Sequence, residues 1–144
     1  MAEDRDRDEI GRARQARPRD ELGRPLPYGA QGVTPFPDEA LPPLDTVTAA
    51  RQLVRDGRPF AAHEVLEARW KTAPPVEREL WQGLAQACVA MTHAARGNHV
   101  GAARVLERAT GLLERYASTA GPTYGVDLAA TVTCAQDKVA AARP

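Results

Sequence analysis

His63, Glu64 and Glu67 stand within five positions of one another in the stretch G-R-P-F-A-A-H-E-V-L-E-A-R-W (Gly57–Trp70), and nowhere else in the chain do an imidazole and two carboxylates come so close. Such a group serves three kinds of chemistry. A carboxylate can orient an imidazole for acid–base transfer, both can ligate a metal, or they can satisfy each other as a structural pair. On a helical wheel begun at Phe60, the side chains of His63, Leu66, Glu67 and Trp70 fall within about 100° of one another. His63 and Glu67 are then expected inside an apolar stripe, one turn apart and paired, with Glu64 near its boundary and Phe60 at its edge.

The motif His-Glu-x-x-Glu departs from the zinc-protease pattern His-Glu-x-x-His, because Glu67 replaces the second histidine. His63 and Glu67 are half of a divalent-metal site, and further ligands must come from elsewhere. Gln82, Gln86 and His93 share one face of a later helical segment, almost opposite its apolar stripe. If that helix is central, the three look toward His63 and, with Phe60 and Trp70, outline a binding pocket. The readings rank in that order: a structural polar pair, then a pocket without metal, then a metal site. Trp70 and Trp81 are more often core than binding platform. No phosphate-loop or dinucleotide fingerprint occurs, and no Ser or Cys stands near a His as a nucleophile would.

The elements that must hold these residues are helical. Residues 1–43 carry alternating acids and bases, then Pro25, Pro27, Pro35, Pro37, Pro42 and Pro43. That density of proline forbids a regular helix or a central strand, and the segment reads as a disordered or extended arm covering apolar surface on a body formed by residues 44–144. A first helix, capped by Asp45 or Thr46, runs to about Arg55. Asp56-Gly57 ends it, and Pro59 opens the second, which Pro74-Pro75 stops. A third covers about Val76–Arg96, with Leu80, Leu84, Ala87, Cys88 and Met91 on one face and Trp81 at its edge. Gly83, beside Gln82, favours close approach of another helix. A fourth runs from about Val100 to Tyr116 behind an Asn98 cap, and a fifth covers about Asp127–Ala142. No segment alternates with period two, so no sheet is predicted.

The chain repeats itself at an offset of 40 residues. Gly57, Ala62, Val65, Leu66 and Glu67 match Gly97, Ala102, Val105, Leu106 and Glu107. This is the grammar of a helix hairpin closed by a glycine turn, as in tetratricopeptide arrays. Two units predict a compact all-α bundle of about five helices rather than a solenoid. His63 becomes Ala103 in the second unit and Glu64 becomes Arg104, so the hairpin architecture does not demand the His-Glu pair.

Composition bounds the partners. With 144 residues, 19 basic and 19 acidic, the chain is sized for one domain and has no charge excess to recommend nucleic acid. The charged N-terminus is no signal peptide, and no apolar run approaches the roughly 20 residues that span a bilayer. Cys88 and Cys134 lie in apolar helical patterns without metal spacing, as two buried thiols in a reducing compartment would. The expectation is a cytoplasmic protein with no membrane partner, and the homodimer is a further option.

The combination F-A-A-H-E-V-L-E-A-R-W, then W-Q-G-L-A-Q, then R-G-N-H-V-G-A-A-R-V-L is similar to the family called domain of unknown function 309, over about Leu44–Tyr116. The resemblance implies a small all-helical domain. It marks His63, Glu64, Trp70, Gln82, Gly83, Gly97 and Asn98 as hallmark positions and carries over no catalytic role. Two functions follow. One is a small binding or scaffold module that holds a protein or small-molecule ligand at a polar pocket around His63 and Glu67. The other is a hydrolase-type enzyme using His63 with Glu64 or Glu67, alone or around a divalent metal.

Overall fold

The computed structural model describes residues 40–142, so the arm expected over residues 1–43 lies outside them except for its last four. Five α-helices make up the body: α1 (Pro43–Arg55), α2 (Pro59–Thr72), α3 (Arg78–Ala95), α4 (His99–Ala117) and α5 (Leu128–Ala141), with one 3-10 turn (Pro75–Glu77) leading into α3. Among the described residues there is no strand, and no helix is long and apolar enough to cross a membrane.

Proline and glycine set the helix limits. Pro43 and Pro59 occupy first-turn positions of α1 and α2, where the missing N–H has no intrahelical partner to lose. The side-chain cap expected at Asp45 or Thr46 does not form, because α1 starts earlier, at Pro43. Thr46 is instead fully buried inside the first turn, and its hydroxyl donates to the carbonyls of Leu41 at 3.0 Å and Pro42 at 2.9 Å. Asn98 and Asp127 do cap α4 and α5, accepting from the N–H of Gly101 and Ala130. Gly57 and Gly97 close the two hairpins with φ of 75° and 82°, a left-handed conformation that costs glycine nothing.

The core is built around α3, which packs against α2, α4 and α5, while α1 packs chiefly on α2. Trp81, expected at the edge of the apolar face, is fully buried together with Leu80, Leu113 and Tyr116. Its burial follows from contacts on three sides of α3, which leave little of that helix facing water. The approach of α3 to α4 depends on Gly83. A methyl there would lie 2.7 Å from Cδ2 and 2.8 Å from Cγ of Leu113. A second, smaller cluster of Ala90, Ala94, Ala102 and Val139 joins α3, α4 and α5. Ala62 and Ala102, equivalent in the repeat, are both completely buried. The second unit lies nearer the surface thereafter: Val65 and Leu66 are buried, whereas Val105 and Leu106 are only half-buried.

Candidate functional site

The residues that α2 buries are Pro59, Ala61, Ala62, Val65 and Leu66. Being gripped by α1 and α3 together, α2 turns this set inward. His63 and Glu67 are thereby rotated to the flank, not into the apolar stripe where the wheel puts them. The His63 side chain keeps 20% of its exposure and that of Glu67 39%. The pairing itself forms: His63 Nε2 lies 2.9 Å from Glu67 Oε2. The hydrogen bond from His63 holds the Glu67 carboxyl below its ordinary 4.5, against the opposing effect of partial burial, and the charges of His63 and Lys71 add to the lowering. Lys71 Nζ stands 3.9 Å from Glu67 Oε1.

Around this pair the surface is aromatic and cationic. The Phe60 ring lies 5.4 Å from that of His63, and the Arg96 guanidinium lies 5.7 Å from the Phe60 centroid. Glu64 is half-buried on the same helix. His63 Nδ1 is buried and has no hydrogen-bond partner among the described residues, a state it shares with Arg58 Nε, Arg69 Nε and His99 Nδ1. Its hydrogen-bonding position is unused, as a donor or an acceptor according to the charge and tautomer of the ring.

The rest of the expected pocket does not join this pair by hydrogen bonds. Gln82 and Gln86 are half-buried on α3, and neither reaches His63. His93 is engaged at the α3–α4 turn, where Asn98 Nδ2 donates to its Nδ1 at 3.2 Å. Trp70 is half-buried against the main core. Among the described residues no three of His, Cys, Asp and Glu converge as a metal site requires, so His63 and Glu67 gather no third ligand. Cys88 is buried, but Cys134 is exposed, contrary to the expectation of two buried thiols. The reason is the narrow apolar stripe of α5, whose buried residues are Leu128, Ala135 and Val139.

A second polar cluster was invisible in the sequence pattern. Glu77, at the head of α3, is buried, and its Oε1 accepts from Trp81 Nε1 at 3.2 Å and from Tyr124 Oη at 2.9 Å. The Tyr124 ring stacks on Trp81 with centroids 5.7 Å apart, and the Arg69 guanidinium lies 5.8 Å from the Trp81 ring. Burial raises the Tyr124 pKa, and the bond to Glu77 raises it further. Tyr116 secures the same loop by donating to the Pro122 carbonyl at 2.6 Å. The i, i+4 spacing of Glu77 and Trp81 was available as a signal, but Tyr124 arrives from a loop that only the fold brings near. Both donors to Glu77 Oε1 come from the protein itself.

Comparison with known proteins agrees with the sequence motifs. Residues 47–105 match the domain of unknown function 309 family. The chain is 39% identical over 56 residues to a Bacillus subtilis (strain 168) protein called uncharacterized protein YpuF; the match takes in 38% of this chain. It spans about a third, 32%, of that relative's length. No solved structure matches the chain. Most of α1, all of α2 and α3, and the start of α4, which between them carry the His63–Glu67 pair, Gly83 and both glycine turns, are thus the segment that matches the domain of unknown function 309 family.

Proposed function

We propose that this chain is a small helical binding module, and that its ligand sits on the flank of α2 at His63, Glu67 and Phe60. The observation that carries this reading is the buried, unpartnered Nδ1 of His63 beside an Nε2 committed to Glu67. A buried polar atom without a partner costs about 1–3 kcal/mol, so a ligand group that pairs with Nδ1 recovers a penalty the free protein carries. The ligand is polar, forms one hydrogen bond with Nδ1, and offers a flat or apolar part to Phe60. The two glycine-closed hairpins, read as tetratricopeptide-like, supply the rigid support. A cytoplasmic setting suits an exposed free thiol at Cys134.

The pair also favours a second reading, as an acid–base enzyme. Glu67 is held ionised against His63 in the manner of a carboxylate that orients an imidazole base. Against it, no three of His, Cys, Asp and Glu gather around the pair among the described residues.

A thermal-shift screen of small polar metabolites on the full chain, repeated on His63→Ala, separates the two. The expected result is a ligand that raises the Tm of the parent, loses at least half of that shift in His63→Ala, and is recovered unchanged. Conversion of a hit to product by the parent, abolished in a folded His63→Ala, would overturn the module in favour of the enzyme.

A further inference from the structure

A groove of about 460 Å³ runs along the body where α1 stands off α3, and α5 forms its far wall. None of Phe60, His63 or Glu67 lines it. Its volume falls among those of small-molecule sites, roughly 300–1,000 Å³. Its lining climbs α1 from Val47 to Arg55 and α5 from Ala130 to Lys138. Eight steps along a helix at 1.5 Å each give a trough about 12 Å long.

The floor and the rim differ in kind. Leu66, Leu84, Cys88 and Met91 form the floor and are buried in the main core. Along it there is no polar group free to pair with a ligand. The Cys88 and Cys134 thiols are at most weak donors, and the Thr131 hydroxyl is already donating to the Asp127 carbonyl at 2.8 Å. The rim carries three exposed cations, Arg51 and Arg55 from α1 and Lys138 from α5. None of them forms an ion pair among the described residues. The one carboxylate lining the groove, Asp127, is spent on capping α5 through Ala130 N–H.

This charge asymmetry selects among occupants. An extended peptide would lay backbone donors and acceptors on a floor that cannot answer them. A single acyl chain brings only methylenes to the floor and one negative end to the cations. We infer that the groove between α1, α3 and α5 binds a free long-chain carboxylate, its chain along Leu84, Cys88 and Met91 and its head group at Arg51, Arg55 or Lys138.

Isothermal titration of the full chain with dodecanoate, below its micelle concentration, tests this. Dodecanol, dodecyltrimethylammonium and a synthetic acidic amphipathic helical peptide serve as comparisons. Saturable one-to-one binding of dodecanoate is expected, at least tenfold tighter than that of dodecanol, with no measurable binding of the cation. The double charge reversal Arg51→Glu/Lys138→Glu, at solvent-exposed positions, weakens dodecanoate tenfold or more. Ala130→Trp, also at an exposed position, obstructs the trough and abolishes binding while the helical circular dichroism stays unchanged. Absence of saturable binding, or equal affinity for dodecanol and for the charge-reversed variant, would overturn the inference. So would tighter binding of the acidic peptide than of dodecanoate, which would give the face to a protein partner.

Discussion

Tyr124 donates its hydroxyl to Glu77 at 2.9 Å across 47 residues of sequence, and this bond closes the α4–α5 loop over the head of α3. Tyr124 holds a φ of 51°, a left-handed conformation that a side-chain-bearing residue adopts at a cost. Its stacking on Trp81 and its bond to Glu77 offset that cost. Removing the hydroxyl in Tyr124→Phe keeps the stack and deletes one charge-assisted bond. A loss of about 1.5–3 kcal/mol is expected, read from the urea midpoint at unchanged m-value. Glu77→Ala is expected to cost more than Tyr124→Phe, because it also leaves the buried Trp81 N–H without its acceptor.

Cys88 gives the protein an alkaline limit. Burial, with the neighbouring Cys134 adding to it, raises its thiol pKa from 9.0 to about 12. The folded state therefore holds this proton more tightly than the unfolded chain does. The stability it contributes is complete below pH 9 and is lost as pH rises from there toward 12. At 1.36 kcal/mol per unit the full effect is on the order of 4 kcal/mol. Tyr116 and Tyr124, both raised chiefly by burial, act in the same direction above pH 10. Urea midpoints measured from pH 8 to 11 should fall steadily in the parent and less steeply in Cys88→Ala. A parallel fall in both proteins would remove Cys88 as a cause.

The two thiols should react as differently as they are exposed. A thiol reagent at neutral pH is expected to modify Cys134 rapidly in the native protein and Cys88 only in denaturant, giving one fast equivalent and then two. Fast reaction of both thiols in the native state would contradict the burial of Cys88.

Gly83→Ala is expected to destabilise by about 1–3 kcal/mol, although alanine is the better helix former. The added methyl meets Leu113, itself buried between the helices, so α3 and α4 must move apart to admit it. The companion substitution Leu113→Ala opens the space, and in that background Gly83→Ala should cost less. Double-mutant analysis of urea midpoints reads this coupling.

The His63–Glu67 pair should stabilise the fold only slightly, because Glu67 is too exposed for its charge to escape screening. Glu67→Ala is expected to cost about 0.2–1 kcal/mol near pH 7, less at high salt. Since the Glu67 carboxyl titrates below 4.5 in the folded protein, its contribution is present above pH 4.5 and lost as pH falls through the lowered value. A midpoint difference between the parent and Glu67→Ala that persists at pH 2 would point to packing rather than to the pair.

Much of this protein is written locally. Pro43, Pro59, Gly57, Gly97, Asn98 and Asp127 set helix limits through their own backbone chemistry, and each acts on residues within one turn. The His63–Glu67 contact is likewise a matter of i, i+4 geometry, and Gly83 marked a close helix approach before its partner was known. The motifs of the domain of unknown function 309 family lie in the same local segments.

What the sequence could not decide is how each helix is turned. Spacing puts His63 and Glu67 beside Leu66 on a wheel, but the inward face of α2 is chosen by having α1 on one side and α3 on the other. For the same reason Trp81 moved from the edge to the centre, and Cys134 from the core to the surface. Tyr124 on Glu77, and the cationic rim above an apolar floor, join residues from separate helices and loops. Such contacts depend on where the bundle places whole elements. The helices and their ends follow from forces between near neighbours and are readable along the chain. Which side chains face one another follows from the assembled bundle, because burial depends on several elements at once.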